Sequence, residues 1–216
     1  VSDHPYVLAV VSHKGGAGRT TLASAMAWVW GQEGLQVTLL DADPIHAAGL
    51  LALGAQGKCS WPNVLYETAV PAASQPFPPC DVVVMDCPAL LTPPAHEILN
   101  RVDGVLLTVQ ADPMSLRTVA VAANEIERGR KSNPRLELLG MVVNIYNAQN
   151  DVQKTLLEQL RKAHGELLIL PAIPQQVSFR LWPSKPGAEP PAGPARDAIA
   201  ELTRTIGGEV LAARPA

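Results

Sequence analysis

The chain contains no apolar run approaching the roughly 20 residues that a membrane-spanning helix needs. Nothing ahead of its first apolar segment reads as a secretory leader. It also lacks any excess of positive charge: 17 Lys and Arg face 20 Asp and Glu, a formal net charge of −3. No global field therefore draws it to nucleic acid or to an anionic membrane. Cys59, Cys80 and Cys87 are odd in number and never spaced C-x-x-C. That argues against a disulfide framework and against a zinc or iron–sulfur site, and for reduced thiols in a cytoplasmic protein. What remains is 216 residues, 47% hydrophobic and 17% charged. Such a chain buries a sizeable core and reads most simply as a single domain, 1–216.

The stretch that organises it is YVLAVVSHKGGAGRTTLASAMAWVW, residues 6–30. β-Formers over 6–12 lead into a glycine-rich turn, and a helix is predicted over 21–32, its end marked by Gly34. Strand, glycine loop and helix together cradle phosphates, because backbone N–H groups converge on an anion at the positive end of the helix. Gly15, Gly16 and Gly18 allow positive φ and close approach of a ligand. Thr20 stands where a P-loop places its magnesium-binding hydroxyl. The standard pattern is G-x-x-x-x-G-K-[ST]; His13 replaces the first Gly and Arg19 the Lys. The plainer alternative is a glycine turn with no ligand.

Further on, a strand over 36–40 ends in DADP, which puts Asp41 and Asp43 at the carboxyl edge of a sheet, where α/β proteins build their sites. Residues 55–79 read as irregular connection with one short helix around 61–68. DVVVMDCPA gives a continuous apolar strand over 82–85 closing on Asp86, as suits a strand covered on both faces. Strands over 104–110, in LELLGMVVNIY and over 167–172 alternate with helices over 115–130 and 151–164. The prediction is an α/β fold: a doubly wound, mostly parallel sheet flanked by helices in three layers. A proline-rich surface segment over 182–194 precedes a C-terminal helix over 195–213. Trp28 and Trp30 lie two apart on a helix and face different sides; the alternatives are core or surface packing for each, the default, and one packed with the other in an interface. Any one Asp at a strand end can equally be a turn or cap residue.

With Lys14 at its start, the loop reads KGGAGRTT and resembles the deviant Walker A loop of the ParA/MinD family of dimerising ATPases. DADP and DCPA match that family's following signatures, in order, and the resemblance spans residues 6–213. It implies a P-loop NTPase fold with ATP and Mg²⁺ as cofactors. The triphosphate would lie on Gly15, Gly16, Ala17, Gly18, Arg19 and Thr20, with Thr21 at the α-phosphate. Thr20 would hold the metal directly, Asp86 through water as a Walker B carboxylate, with Asp41 supporting the metal shell. Asp43 would orient the attacking water, and Lys14 would reach across a dimer to the partner's nucleotide. Asn144 would recognise adenine, and Pro174, in LPAIPQQV, would belong to the loop covering the base; an Asn at a strand end is also an ordinary turn former.

The sequence departs from the pattern at Arg19, which keeps the charge of lysine but not its shape. Phosphate binding survives such an exchange more readily than hydrolysis, which depends on fine positioning. Two readings follow, a slow ATPase and a switch that scarcely turns over; Lys14 and Asp43 favour the first. Arginines that small ParA proteins use on DNA are replaced by Gln149 and Gln175. Arg180, Lys185, Arg196, Arg204 and Arg214 are the nearby alternatives, nearly balanced by Glu189, Asp197, Glu201 and Glu209. A second cluster, Arg128, Arg130, Lys131 and Arg135, is equally well read as cations at a helix C-terminus. Weak, salt-sensitive DNA binding is expected. Membrane binding is not, because the terminal segment carries Gly207 and Gly208, which break it, and few lysines.

The sequence thus predicts a ParA-like ATPase, a homodimer around ATP that partitions plasmid or chromosome DNA with a ParB-like adaptor, cytoplasmic and nucleoid-associated when on DNA. The alternative is a regulatory or localising member of the same superfamily, serving a secretion, conjugation or polysaccharide machine without binding DNA. A small-molecule ligase or reductase on the same loop is the third; no substrate motif supports the ligase, and no cysteine pair the reductase.

Overall fold

The structure is a computed structural model that describes residues 5–68, 70–72, 75–90 and 92–212. Among them, seven strands form one sheet: β1 (Tyr6–Val11), β2 (Val37–Asp41), β3 (Val64–Glu67), β4 (Val82–Asp86), β5 (Gly104–Val109), β6 (Glu137–Val143) and β7 (Leu168–Ile169). Their order is β3-β2-β4-β1-β5-β6-β7, and every pairing is parallel. The helices are α1 (Arg19–Gln32), α2 (Gly49–Ala52), α3 (Pro93–Leu99), α4 (Pro113–Gly129), α5 (Asp151–His164), α6 (Val177–Leu181) and α7 (Pro194–Ala212).

The continuous apolar runs follow from burial on both faces. Alternate residues of β1 enter opposite cores: Tyr6, Leu8 and Val10 join Leu22, Met26 and Trp30 of α1 and Leu202 and Ile206 of α7. Val7, Ala9 and Val11 join Ile98, Val119, Ile126 and Leu160 under α3, α4 and α5. The expected three layers are present, and the sheet is wholly parallel. Nine of the 14 residues of α1 are buried, so this helix shows no polar stripe; it is sandwiched between the sheet and α7.

Several local expectations need correction. Residues 61–68 hold no helix; Asn63 turns the chain at φ 56°, and Val64–Glu67 pairs with β2 as an edge strand. Its Val64 is buried and Leu65 half exposed, the alternation of a strand in a run too short to prevail over helix propensity in a sequence reading. The short helices α2, α3 and α6 were not anticipated, and the last strand is trimmed to Leu168–Ile169. The proline-rich segment does not begin on the surface. Trp182 is buried in a 3₁₀ turn (Trp182–Ser184), stacks on Trp61 at 5.9 Å, and donates its indole N–H to the Ala188 carbonyl at 2.9 Å. Trp61 donates to the same carbonyl at 3.1 Å, pinning the segment over α2.

Gly207 and Gly208 do not break the terminal helix, which runs through both. At Gly207 an added Cβ would meet the Trp30 indole nitrogen at 3.2 Å, so the glycine permits close approach of α7 to α1. Trp30 is the packed tryptophan; Trp28 is partly buried beneath the Arg196 guanidinium, 5.5 Å from its ring centre. The predicted helix end at Ala213, and Arg214, lie outside the described residues. Among the described residues, no helix is long and apolar enough to cross a membrane.

Candidate functional site

The site lies where the loop after β1 meets the carboxyl ends of β2 and β4. Gly18, at the N-cap of α1, has φ 79°, and a Cβ there would collide with the Asn144 amide. Only glycine satisfies both conditions. The loop is tied down from the β5–β6 side. Thr108 Oγ1 and Asn144 Nδ2 donate to the Ala17 carbonyl at 3.1 and 3.0 Å, and Gln110 Nε2 donates to that of Gly16 at 3.1 Å. Gly15 and Gly16 face open space on the other side, with nothing within 4 Å of where a Cβ would sit.

Beneath the loop, Asp41 and Asp86 are in register at the ends of paired strands, both fully buried. Neither Asp86 oxygen has a hydrogen-bond partner of ordinary geometry. Burial pushes this carboxyl up to about 7; the Thr20 hydroxyl and the Arg19 charge oppose the shift, and Asp41 and Asp43 add to it. Asp41 Oδ2 accepts from the Ala48 N–H at 2.9 Å and the Tyr66 hydroxyl at 3.1 Å, while its Oδ1 accepts no hydrogen bond and lies 3.9 Å from His46 Nδ1. Burial raises its pKa against those two bonds. The Tyr66 phenol is itself pushed up, by burial and then by the Asp41 charge.

Arg19 Nη2 donates to Asp43 Oδ2 at 3.2 Å, and its Nη1 is buried without a partner. Asp43 Oδ1 accepts from the Ile45 N–H at 3.0 Å. Lys14 is ion-paired with Asp112, which also caps α4 by accepting from the Ser115 N–H at 2.9 Å. Burial opposes ionisation of Asp112, but the Lys14 ammonium and the Ser115 amide outweigh it and hold the carboxyl below its usual range.

Beside the loop is a cavity of about 130 Å³ lined by Thr21, Asn144, Pro174, Phe179, Arg180 and Ile199. Asn144 is less free than the sequence suggests. One end of its amide holds the Ala17 carbonyl, and its Oδ1 accepts from the Ile145 N–H at 2.8 Å. Of the five cations considered for DNA, Arg214 lies outside the described residues, and Arg180 and Lys185 are exposed with no ion pair among those of the described residues. Arg204 pairs with Glu33 at 2.8 Å; Arg196 donates to the Pro190 carbonyl at 3.2 Å and lies 3.9 Å from Glu189. In the second basic cluster, Arg128, Arg130 and Arg135 face Glu125, Glu127 and Asp103.

The model for the CobQ/CobB/MinD/ParA nucleotide binding domain matches residues 8–186. The chain belongs to this family. Over 210 residues it is 27% identical to the chromosome-partitioning ATPase Soj of Thermus thermophilus, covering 82% of this chain and 84% of that one. Among solved structures, it resembles the cobyrinic acid a,c-diamide synthase of Mycobacterium smegmatis with bound ADP and magnesium, at 20% identity and TM-score 0.74, covering 97% of each chain. MinD of Aquifex aeolicus is similar at 18% identity and TM-score 0.74, covering 94% of this chain and 97% of that one. These two establish the fold.

The residues of this chain fit a magnesium nucleotide on their own account. Buried carboxylate oxygens on Asp41 and Asp86 lack donors, a buried guanidinium N–H on Arg19 lacks an acceptor, and the glycine cradle is open above them. Sequence reasoning missed Asp112, Tyr66, Thr108 and Gln110. Asp112 had a signal: D-P-M-S after an apolar strand is an N-cap followed by proline in the first turn. The other three carry no local pattern, because their partners lie at least 25 residues away.

Proposed function

We infer that this member of the family is a ParA-like ATPase that binds Mg-ATP, closes into a homodimer with the nucleotides sandwiched, and uses that dimer to position or partition DNA. The observation that carries the reading is the set of unpartnered buried polar atoms, Asp86 Oδ1 and Oδ2, Asp41 Oδ1 and Arg19 Nη1, gathered under an open glycine loop. Buried polar groups without partners are costly unless a ligand completes them. Thr20, Asp86 and Asp41 would hold the magnesium, which neutralises charge on the phosphates. Gly15 to Thr21 would carry the triphosphate, and the cavity edged by Asn144 and Pro174 would take the base. Asp43 would align the water, and Lys14 would leave Asp112 to reach the partner subunit's nucleotide. A ParB-like adaptor would stimulate turnover, which Arg19 keeps slow.

A second reading, a dimer that positions a cargo other than DNA, is favoured by one observation. Arg196 and Arg204 are already engaged within the fold, which leaves little free positive charge on that face. The two readings separate in one experiment. The protein is titrated with Mg-ATP and Mg-ADP, its mass followed by light scattering, and its retention on random duplex DNA measured at low salt. ATP-specific dimerisation with retention supports partition, and dimerisation without retention supports the second reading. Failure to bind either nucleotide overturns both.

A further inference from the structure

Arg19 has two arms and uses one. Nη2 grips Asp43, while Nη1 is buried with no acceptor, and the side chain as a whole is 12% exposed. A guanidinium is a rigid plane, so holding Asp43 through Nη2 dictates where Nη1 points; an ammonium has no fixed second arm. Asp43 is in turn the knot of the segment between β2 and α2. Its Oδ1 accepts from the Ile45 N–H at 3.0 Å and its carbonyl from the His46 N–H at 2.9 Å. At the far end of that segment, the Ala48 N–H donates to Asp41 at 2.9 Å. One side chain at the base of the glycine loop thus reaches the hydrogen-bonded segment 42–48.

We propose that Arg19 is a bridge: its free Nη1 takes a phosphate oxygen of the bound nucleotide while Nη2 keeps Asp43, so that occupancy of the loop stiffens segment 42–48. The inference rests on the nucleotide reading above and adds to it a regulatory link that lysine at this position does not provide. Arginine here is a positioning residue for Asp43. The opposite arrangement, in which phosphate takes Arg19 away from Asp43 and loosens the segment, uses the same residues and gives the opposite sign.

Amide hydrogen exchange on the full chain decides between them. The parent and Arg19→Lys are compared with and without a nonhydrolysable ATP analogue and magnesium, following peptides over 13–21 and over 42–48. The bridge requires that nucleotide slow exchange in both peptides of the parent, by about threefold or more over 42–48. In Arg19→Lys the 13–21 peptide is still protected, while the gain over 42–48 disappears. Faster or unchanged exchange over 42–48 in the parent, with 13–21 protected, overturns the bridge and leaves the nucleotide site standing. An undiminished gain in Arg19→Lys overturns it as well. No protection over 13–21 in the parent removes the nucleotide reading itself. Should Arg19→Lys fail to fold, Arg19→Gln, whose shorter neutral amide offers no charged arm to phosphate, must lose the same gain over 42–48 at nucleotide concentrations that still protect 13–21.

Discussion

Asp86 concentrates the site's electrostatics in one side chain. It ends an apolar strand, neither of its oxygens has a hydrogen bond of ordinary geometry, and burial, only partly offset by the Thr20 hydroxyl and the Arg19 charge, lifts its pKa from 3.8 to about 7. The unfolded chain therefore releases this proton at lower pH than the folded chain does. Stability from this group is complete below the unfolded pKa of 3.8 and is lost as pH rises through about 7. At ~1.4 kcal/mol per pKa unit, a shift of this size costs roughly 4 kcal/mol once both states are ionised. Asp41 is also raised, so it slopes in the same direction. Asp86→Asn, unfolded in urea at several pH values without nucleotide, is expected to match the parent near pH 4 and exceed it near pH 8. Parallel stability curves for the two proteins would mean that Asp86 is not the source of the slope.

At the scale of elements, the loop after β1 and the start of α4 share Asp112. Its Oδ1 caps the helix and its Oδ2 pairs with Lys14. The two roles separate chemically. Asp112→Ser retains a cap for Ser115 and frees Lys14, whereas Asp112→Ala removes both and forfeits ~1 kcal/mol of helix capping. Asp112→Ser is expected to hold its melting temperature near the parent's and to shift ATP-dependent dimerisation to lower protein concentration in sedimentation. Unchanged dimerisation in that variant would show that the pair does not restrain Lys14.

The same elements show what the chain makes readable. β1 and β4 agree with the sequence reading nearly to the residue, because apolar runs buried on both faces are local signals, and α5 coincides with the expected helix over 151–164. The KGGAGRTT loop and the carboxylates at strand ends were legible for the same reason. The strand β3 was not, since an edge strand of four residues is defined by its pairing with β2 and not by its own composition. Nor was the Lys14–Asp112 pair, whose members are 98 residues apart. From the sequence Arg19 meets phosphate alone; its contact with Asp43 depends on two strand ends being brought side by side.

For the whole molecule, charge decides what the proposed dimer would carry. With a net charge of −3, no long-range attraction to DNA exists, so retention must come from a few local cations. Arg180 on α6 and Lys185 just beyond the 3₁₀ turn are exposed, whereas Arg204 is occupied by Glu33. Each phosphate neutralised contributes ~0.9 to the slope of log affinity against log salt. The double variant Arg180→Glu, Lys185→Glu should therefore flatten that slope by about 2 and abolish retention of the ATP-loaded protein at moderate salt. Arg204→Ala loses a surface ion pair, a change of at most ~1 kcal/mol in stability, and should leave the slope unaltered. Fluorescence anisotropy on a random duplex across a salt series reads both quantities. If the double variant binds as the parent does, this face does not meet DNA. If the parent is not retained even at low salt while still dimerising on ATP, the cargo is something other than nucleic acid, and the exposed Val177 and Leu181 that flank Arg180 become the surface on which to seek it.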